Sequence, residues 1–565
     1  MSPDYKVVIA YDFGTTYSGA AYAFTHTSPP EVFDVLKWPH KGSNYFPKVP
    51  TTLVYRRDNE EMVDWGHGAK RTMIKPYAGK HHVQVSNFKL LLDENLGRTL
   101  EEPSSKTAVQ VVADYLRALH QHTLQEITRG FAKNYHPDTF RYCLTVPALW
   151  SDKAKHTMRQ AAVLAGLVKP SDPSDRLVLI SEPEAAALYC EQTMDAALQP
   201  GDRTMVCDAG GGTCDLIVFE MSESQRLCEV TKGIGESCGS VFLDERYRTW
   251  LIQTLGQDIM DQLPPREMND LMDQFIDVIK PEFDGFEDHY VTLPRSVPLD
   301  QLPPAATNEE EDGCLDEGTI KLPAHVLKEQ IFDPVVDNVL SLIRQQYDQI
   351  PDGRLTYLML VGGFGSSNYL YQRIQETFTE FDKVVSPAER AALAVVRGAA
   401  LYGLNPQRIQ ARVSRRTYGI NAGLPFDSQL DPPMTRVVRP DGSVRCTSRF
   451  LVFVKKHDVL PLDHCITEQM YVYYGTVKHT DIMLYATESD VVPRYYDEPG
   501  VHHVAAISVP IPEMPGIMHG ERIAYTVRMY FGATELRMEA DFGTGQSYRV
   551  YCDFDASDRF EEDQS

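Results

Sequence analysis

Two stretches decide the fold: IAYDFGTTYSGAAYAF, residues 9–24, and MVCDAGGGTCDLIVFE, residues 205–220. Each reads as an apolar strand, an acid, a glycine turn and a second apolar strand. In the first, Asp12 is delivered to a turn made of Gly14, Thr15 and Thr16. In the second, Asp208 precedes Gly210, Gly211 and Gly212, and Thr213 and Asp215 follow. Glycine admits backbone conformations closed to other residues. The turn's N–H groups can therefore converge on an anion, with hydroxyls beside them. A carboxylate at each strand end can hold a hydrated divalent cation that bridges phosphates. The two acids lie 196 positions apart, as expected for two related lobes that face each other.

Outward from these turns, strands and helices alternate over the first ~405 residues, an α/β pattern. Helices are expected at 105–129, 151–167, 239–256 and 323–349, and a buried strand at 355–361. That strand runs into a third glycine turn, LVGGFGSS (360–367), where Gly362, Gly363 and Gly365 can admit a flat base or a sugar against bare backbone. The stretch 303–313, proline-rich and then acidic, reads as an exposed loop. Beyond Gly403 the pattern changes. Short alternating segments at 449–455, 470–477, 481–486, 504–509, 522–531, 534–540 and 547–552 predict a separate β-sandwich or β-layer domain. The tail from 555 is polar and is expected to fray.

The chain has 565 residues and a net charge of −24, from 55 Lys plus Arg against 79 Asp plus Glu. A backbone of phosphates needs clustered cations, so neither nucleic acid nor an anionic membrane is an expected partner. Ten cysteines without a CxxC or zinc spacing, no glycosylation sequon and no signal-peptide pattern point to a reducing compartment, cytoplasmic or nuclear. Other nucleotide motifs are missing: there is no P-loop and no complete GxGxxG. Gly235-Glu236-Ser237-Cys238-Gly239 matches a serine nucleophile elbow, but no acid and histidine follow in a recognisable setting. Its plainer reading is a glycine turn packed beside the second phosphate turn.

Together with YLMLVGGFGSSNYL (357–370), the two opening stretches resemble the phosphate-1, phosphate-2 and adenosine motifs of actin-like ATPases. The closest resemblance is to the 70-kDa heat-shock chaperones (DnaK-like), in a divergent branch. LTVPALWSDKAKHTMRQAAVLAGL (144–167), ISEPEAAALYC (180–190) and VRGAALYGL (396–404) resemble further segments of that family in the same order. The resemblance implies a two-lobed, ribonuclease H-like ATPase domain. Lobe I would span 1–200 and be completed by 370–405, lobe II would span 201–370, and 371–411 would return to lobe I and form the linker. A β-rich domain would occupy 412–565, with no helical lid. The implied ligands are ATP or ADP with Mg²⁺, and K⁺ as a further ion; the implied partner is a client polypeptide. Asp12 and Asp208 would organise the metal through its waters. Gly14, Thr15, Thr16, Tyr17 and the Gly210–Gly211–Gly212–Thr213 turn would cradle the phosphates. Glu182 would position the attacking water, with Lys70 of WGHGAKRTM as the phosphate-contacting ammonium. Gly362, Gly363, Phe364 and Ser366 would hold the adenosine.

Three features depart from that family's pattern. Ser366 stands where the family carries an arginine that stacks on the base. The linker segment NPQRIQARVSRR (405–416) is basic rather than apolar, and no long amphipathic helix follows 555. The leading reading is a slowly hydrolysing, chaperone-like ATPase. The alternatives are a nucleotide-dependent scaffold or sensor with little turnover, a small-molecule kinase of the same superfamily, and a serine hydrolase.

Overall fold

The computed structural model describes residues 5–550, apart from 42–44, 76, 93–104, 130–134, 194–197, 304–314, 317, 382, 387–390, 440–441, 463, 533 and 544–546. The expected loop at 303–313 and the tail therefore lie almost wholly outside the described residues. The chain forms two compact units. One comprises Met1–Trp150, Thr157–Gln225 and Gly233–Arg408; the other comprises Ser151–His156, Arg226–Lys232 and Ile409–Ser565.

The first unit holds two sheets built on one plan. Strand Val7–Phe13 is buried along all seven residues. It pairs antiparallel with Tyr17–Phe24 and parallel with Phe140–Val146, which pairs parallel with Leu177–Ser181. In the second sheet Arg203–Ala209 pairs antiparallel with Cys214–Met221 and parallel with Tyr357–Val361, which pairs parallel with Lys383–Val385. Continuous apolar strands such as VVIAYDF suit a sheet covered on both faces. Both acids of the opening stretches thus fall on the same kind of strand, a buried central one next to its hairpin partner.

Helices cover these sheets. Ala108–Arg129 and Asp152–Ala165 form where the apolar spacing places them. Helices Glu182–Thr193 and Ala394–Leu404 cross almost backbone to backbone: a Cβ on Gly398 would lie 1.6 Å from the Ala185 carbonyl oxygen. The small residues of EAAA and RGAA make that crossing possible. The expected single helix over 323–349 is divided. Ala324–Val326 leads into a π-turn at Leu327–Phe332 and then Asp333–Tyr347. A second π-turn, Phe275–Ile279, follows helix Pro265–Gln274. The extra residue in each widened turn re-aims a ring into the core, where Phe275 stacks on Tyr247 at 4.3 Å and Phe332 meets Phe283 at 4.5 Å.

The second unit is mainly two antiparallel sheets. One runs Arg436–Val438, Val444–Val454, Thr417–Pro425, His479–Thr487, Val501–Pro510; the other runs Cys465–Tyr473, Arg522–Tyr530, Arg537–Asp541, Ser547–Val550. Ile420, Leu484 and Val509 from the first share a core with Tyr525, Val527 and Met538 from the second. Arg522–Tyr530 alternates exposed and buried positions, the period-two pattern of a sandwich strand. One expectation is corrected here. Residues 409–413, read as part of a polar linker, form strand Ile409–Val413, paired with Leu227–Glu229 and Val459–Pro461. Ile409, Ala411 and Val413 are its buried face. The intervening Gln410 and Arg412 masked that alternation.

Candidate functional site

The hairpin register places the site's first atoms. Asp12 lies opposite Gly19, and Asp208 lies opposite Asp215. Gly14 is required by the tightness of the first turn, since a Cβ there would lie 2.2 Å from the Tyr17 carbonyl oxygen. The two turns meet. A Cβ on Gly211 would fall 2.3 Å from the Thr16 hydroxyl, and one on Gly212 would fall 2.8 Å from that of Thr15. Two glycines therefore let two threonine hydroxyls approach the backbone of the second turn.

The GESCG run supports this turn. The N–H groups of Gly239, Ser240 and Val241 donate to the carbonyls of Gly212, Gly210 and Gly211, at 3.2, 3.1 and 2.9 Å. A Cβ on Gly239 would lie 2.4 Å from the Gly211 carbonyl oxygen. The elbow-like motif is thus a close-packed glycine turn that holds the three-glycine turn in shape.

Four acids are buried in this region: Asp12, Glu182, Asp208 and Asp215. Two lysines that sequence reasoning missed answer two of them. Lys48 Nζ lies 2.7 Å from Asp12 Oδ2, and the Thr145 hydroxyl donates to Asp12 Oδ1 at 3.2 Å. Oδ1 is hydrogen-bonded, whereas buried Oδ2 is paired with Lys48 by charge alone and has no well-directed hydrogen bond. Lys89, in the turn Phe88–Leu92, pairs with Glu182 Oε1 at 2.5 Å and lies over the Phe13 and Trp150 rings. Glu182 opens its helix but does not cap it. Ser181 and Glu184 form the capping box, with Glu184 Oε2 accepting from the Ser181 N–H at 3.1 Å and its hydroxyl at 2.8 Å. The Glu182 carboxylate is left to face Lys89.

Burial raises the Glu182 pKa to about 7, with Lys89 opposing and Asp12 and Asp215 adding to the rise. Burial, followed by Glu182, Asp12 and Asp215, pushes Asp208 well above the usual carboxylate range, with Lys48 opposing. Lys48 is held protonated against its own burial by Asp12, Asp208 and Glu182. Asp208 is packed from the other side by Gly362, whose φ is +88° and whose Cβ would lie 2.5 Å from Asp208 Oδ1. The third glycine turn is thereby joined to the second.

The remaining candidates are placed as follows. Lys70, in helix His67–Met73, is largely exposed and pairs with Asp273 at 2.5 Å. Tyr17 is partly exposed, and the carboxylates of Asp277, Asp273 and Asp244 add to the raising of its pKa, after burial. Phe364 is a core residue, Gly363 is exposed, and the exposed Ser366 donates its hydroxyl back to the Gly362 carbonyl at 3.3 Å. Lys89 carried a faint signal, a charge inside the apolar run FKLLL. Lys48 carried none; it reaches Asp12 because Val49 pairs with Ser18.

A hydrated divalent cation suits Asp208, a buried carboxyl crowded by other acids, better than Asp12, whose charge is already met. Among the described residues no three His, Cys, Asp or Glu side chains are grouped to ligate a metal directly, and no helix is long and apolar enough to cross a membrane.

No family model matches the chain. Known proteins do. Human heat shock 70 kDa protein 12A is 26% identical over 97% of this chain and 92% of its own length. Human heat shock 70 kDa protein 12B is also 26% identical, over 97% and 91%. The chaperone protein DnaK of Thermosipho melanesiensis is 23% identical over 71% of this chain and 61% of its own. Over nearly its whole length the chain is thus similar to 70-kDa heat-shock proteins of a divergent kind, and over a shorter span to DnaK.

Proposed function

We propose that this protein binds ATP or ADP between its two glycine turns and hydrolyses ATP slowly, as a chaperone-like protein acting on polypeptides. The observation that carries the reading is the meeting of Thr15 and Thr16 with Gly211 and Gly212 beside four buried acids. On this reading the first unit is the two-lobed nucleotide domain, and the sandwich is a substrate-binding domain. The setting is the cytoplasm or nucleus.

Asp208 would hold Mg²⁺ through its waters, with Asp12 opposite; bound there, the metal would supply charge neutralisation and alignment of the phosphates. Asp215 would take part in holding K⁺. The backbone N–H groups of the Gly210–Thr213 turn and the hydroxyls of Thr15, Thr16 and Thr213 bind and orient the polyphosphate. Glu182, poised near neutral pH and steadied by Lys89, orients a water and takes its proton at the carboxylate. Phosphoryl transfer to water needs alignment and charge stabilisation more than covalent chemistry. Gly362 and Gly363 leave bare backbone for the nucleoside.

Calorimetric titration with ATP tests the reading. Asp208→Ala should abolish or strongly weaken binding; unchanged binding would refute it. The second reading, a nucleotide-dependent scaffold, is favoured by the ion pair that engages Lys70 with Asp273. Single-turnover hydrolysis by wild type and Lys70→Ala separates the two, since no measurable turnover in either leaves the scaffold.

A further inference from the structure

The charge arrangement at the first turn differs from that at the second in a way the paired motifs do not anticipate. Lys48 precedes the short strand Val49–Pro50, whose pairing with Ser18 and Tyr17 fixes it beside the hairpin. The Ser18 and Thr51 hydroxyls, 2.8 Å apart, close the same junction. The Lys48 stem lies over Gly19, the residue directly opposite Asp12. A Cβ on Gly19 would be 3.5 Å from Lys48 Cγ and 3.8 Å from Cε. A glycine at that position opens a track along which the stem runs to the carboxylate. At its end the ammonium is 2.7 Å from Asp12 Oδ2, and the lysine side chain is 17% exposed. Asp208 and Glu182 are near enough to act on it electrostatically. The ammonium therefore sits in the field of three of the four buried acids.

We propose that Lys48 is a built-in cation of the phosphate turns, so that nucleotide is held there without an obligatory divalent metal. The inference rests on the nucleotide reading above. An ammonium on Asp12 removes the repulsion that this carboxylate would exert on an incoming polyphosphate. Most of the lysine side chain is already out of water, so its charge acts there with little screening. With the Lys48 ammonium paired to Asp12, a hydrated metal gains less from that carboxylate and relies on Asp208. Mg²⁺ becomes an aid to binding, not a condition of it. Removing the ammonium should restore the two-acid site and with it the dependence on metal.

The test is ADP affinity of the full chain by calorimetry, in excess EDTA and in excess Mg²⁺, for wild type, Lys48→Met and Lys48→Arg. Wild type should bind in both conditions with dissociation constants within about threefold. Lys48→Met should weaken on the order of 100-fold in EDTA and recover most of that loss with Mg²⁺. Lys48→Arg should behave as wild type. A second measurement uses no nucleotide. Mg²⁺ should raise the melting temperature of Lys48→Met, whose acids then bind the ion, and leave wild type nearly unmoved. Wild type that binds ADP only with Mg²⁺ overturns the proposal while leaving the nucleotide reading intact, and this comparison stands even if Lys48→Met fails to fold. Equal Mg²⁺ shifts in both proteins also overturn it. Wild type that binds ADP in neither condition overturns the nucleotide reading and this inference together.

Discussion

The two glycine-turn hairpins look alike in sequence and differ in charge. The first presents Asp12 to Lys48 and Thr145 and is locally neutral. The second presents Asp208 to Asp215 and Glu182 and is short of positive charge. An acid at a strand end is thus one motif with two physical states. In one it is paired with an ammonium; in the other it is a buried group whose charged form is disfavoured by burial and by neighbouring acids. The difference comes from one lysine that belongs to neither motif.

That contrast can be broken most directly at the acids. Asp12→Asn leaves the buried Lys48 ammonium without its counter-charge and should destabilise the apo protein by about 3–5 kcal/mol. Asp208→Asn removes a carboxyl that burial and three acids already disfavour, so urea unfolding should show it as stable as wild type or more so. The same sign for both would erase the distinction drawn here. The turns differ in tolerance as well. Gly239→Ala, with a Cβ 2.4 Å from the Gly211 carbonyl oxygen, should cost about 1–3 kcal/mol by forcing backbone apart. Gly19→Ala meets Lys48 at ordinary contact distance and should change stability by less than about 0.5 kcal/mol.

The pH dependence sharpens the comparison further. Glu182 has a folded pKa of about 7, raised from 4.5. Between those values the folded state keeps a proton that the unfolded chain releases, so this group lowers stability as pH rises across the interval. Glu182→Gln should remove that contribution, seen as a difference in the slope of unfolding free energy against pH. His120 works the other way. Burial lowers its pKa to about 4, and its Nδ1 lies 2.8 Å from the Tyr11 hydroxyl. The unfolded chain then takes up the proton first, and stability is lost as pH falls from about 6.5 towards 4; His120→Gln should flatten that limb. The effect at Lys70 should also be small. Its pair with Asp273 is solvent-exposed, so Lys70→Met should cost at most about 1 kcal/mol in melts at low salt.

Much of this was legible in the chain. VVIAYDF and MVCDA are continuous apolar runs, and only a sheet covered on both faces accepts such a run ending in an acid and a glycine turn. The sandwich strands were legible for the opposite reason, because one face of each is wetted and the alternation survives in the sequence. Strand Ile409–Val413 was missed because it is short and its outward residues are charged. The π-turns were missed because one extra residue in a helical turn leaves the apolar spacing nearly unchanged.

The sequence by itself determined where the turns, their acids and their glycines stand, because strand, turn and strand are local and set by neighbouring residues. Only the tertiary structure decided which ammonium meets which acid. Lys89 and Glu182 are 93 residues apart, and Lys48 reaches Asp12 through the pairing of a two-residue strand. A lysine's charge sits at the end of a long flexible stem, so its partner is chosen by proximity in space. Lys70, whose surroundings in sequence pointed to the phosphates, found Asp273. Lys48, whose surroundings pointed to nothing, was carried to the site by the fold.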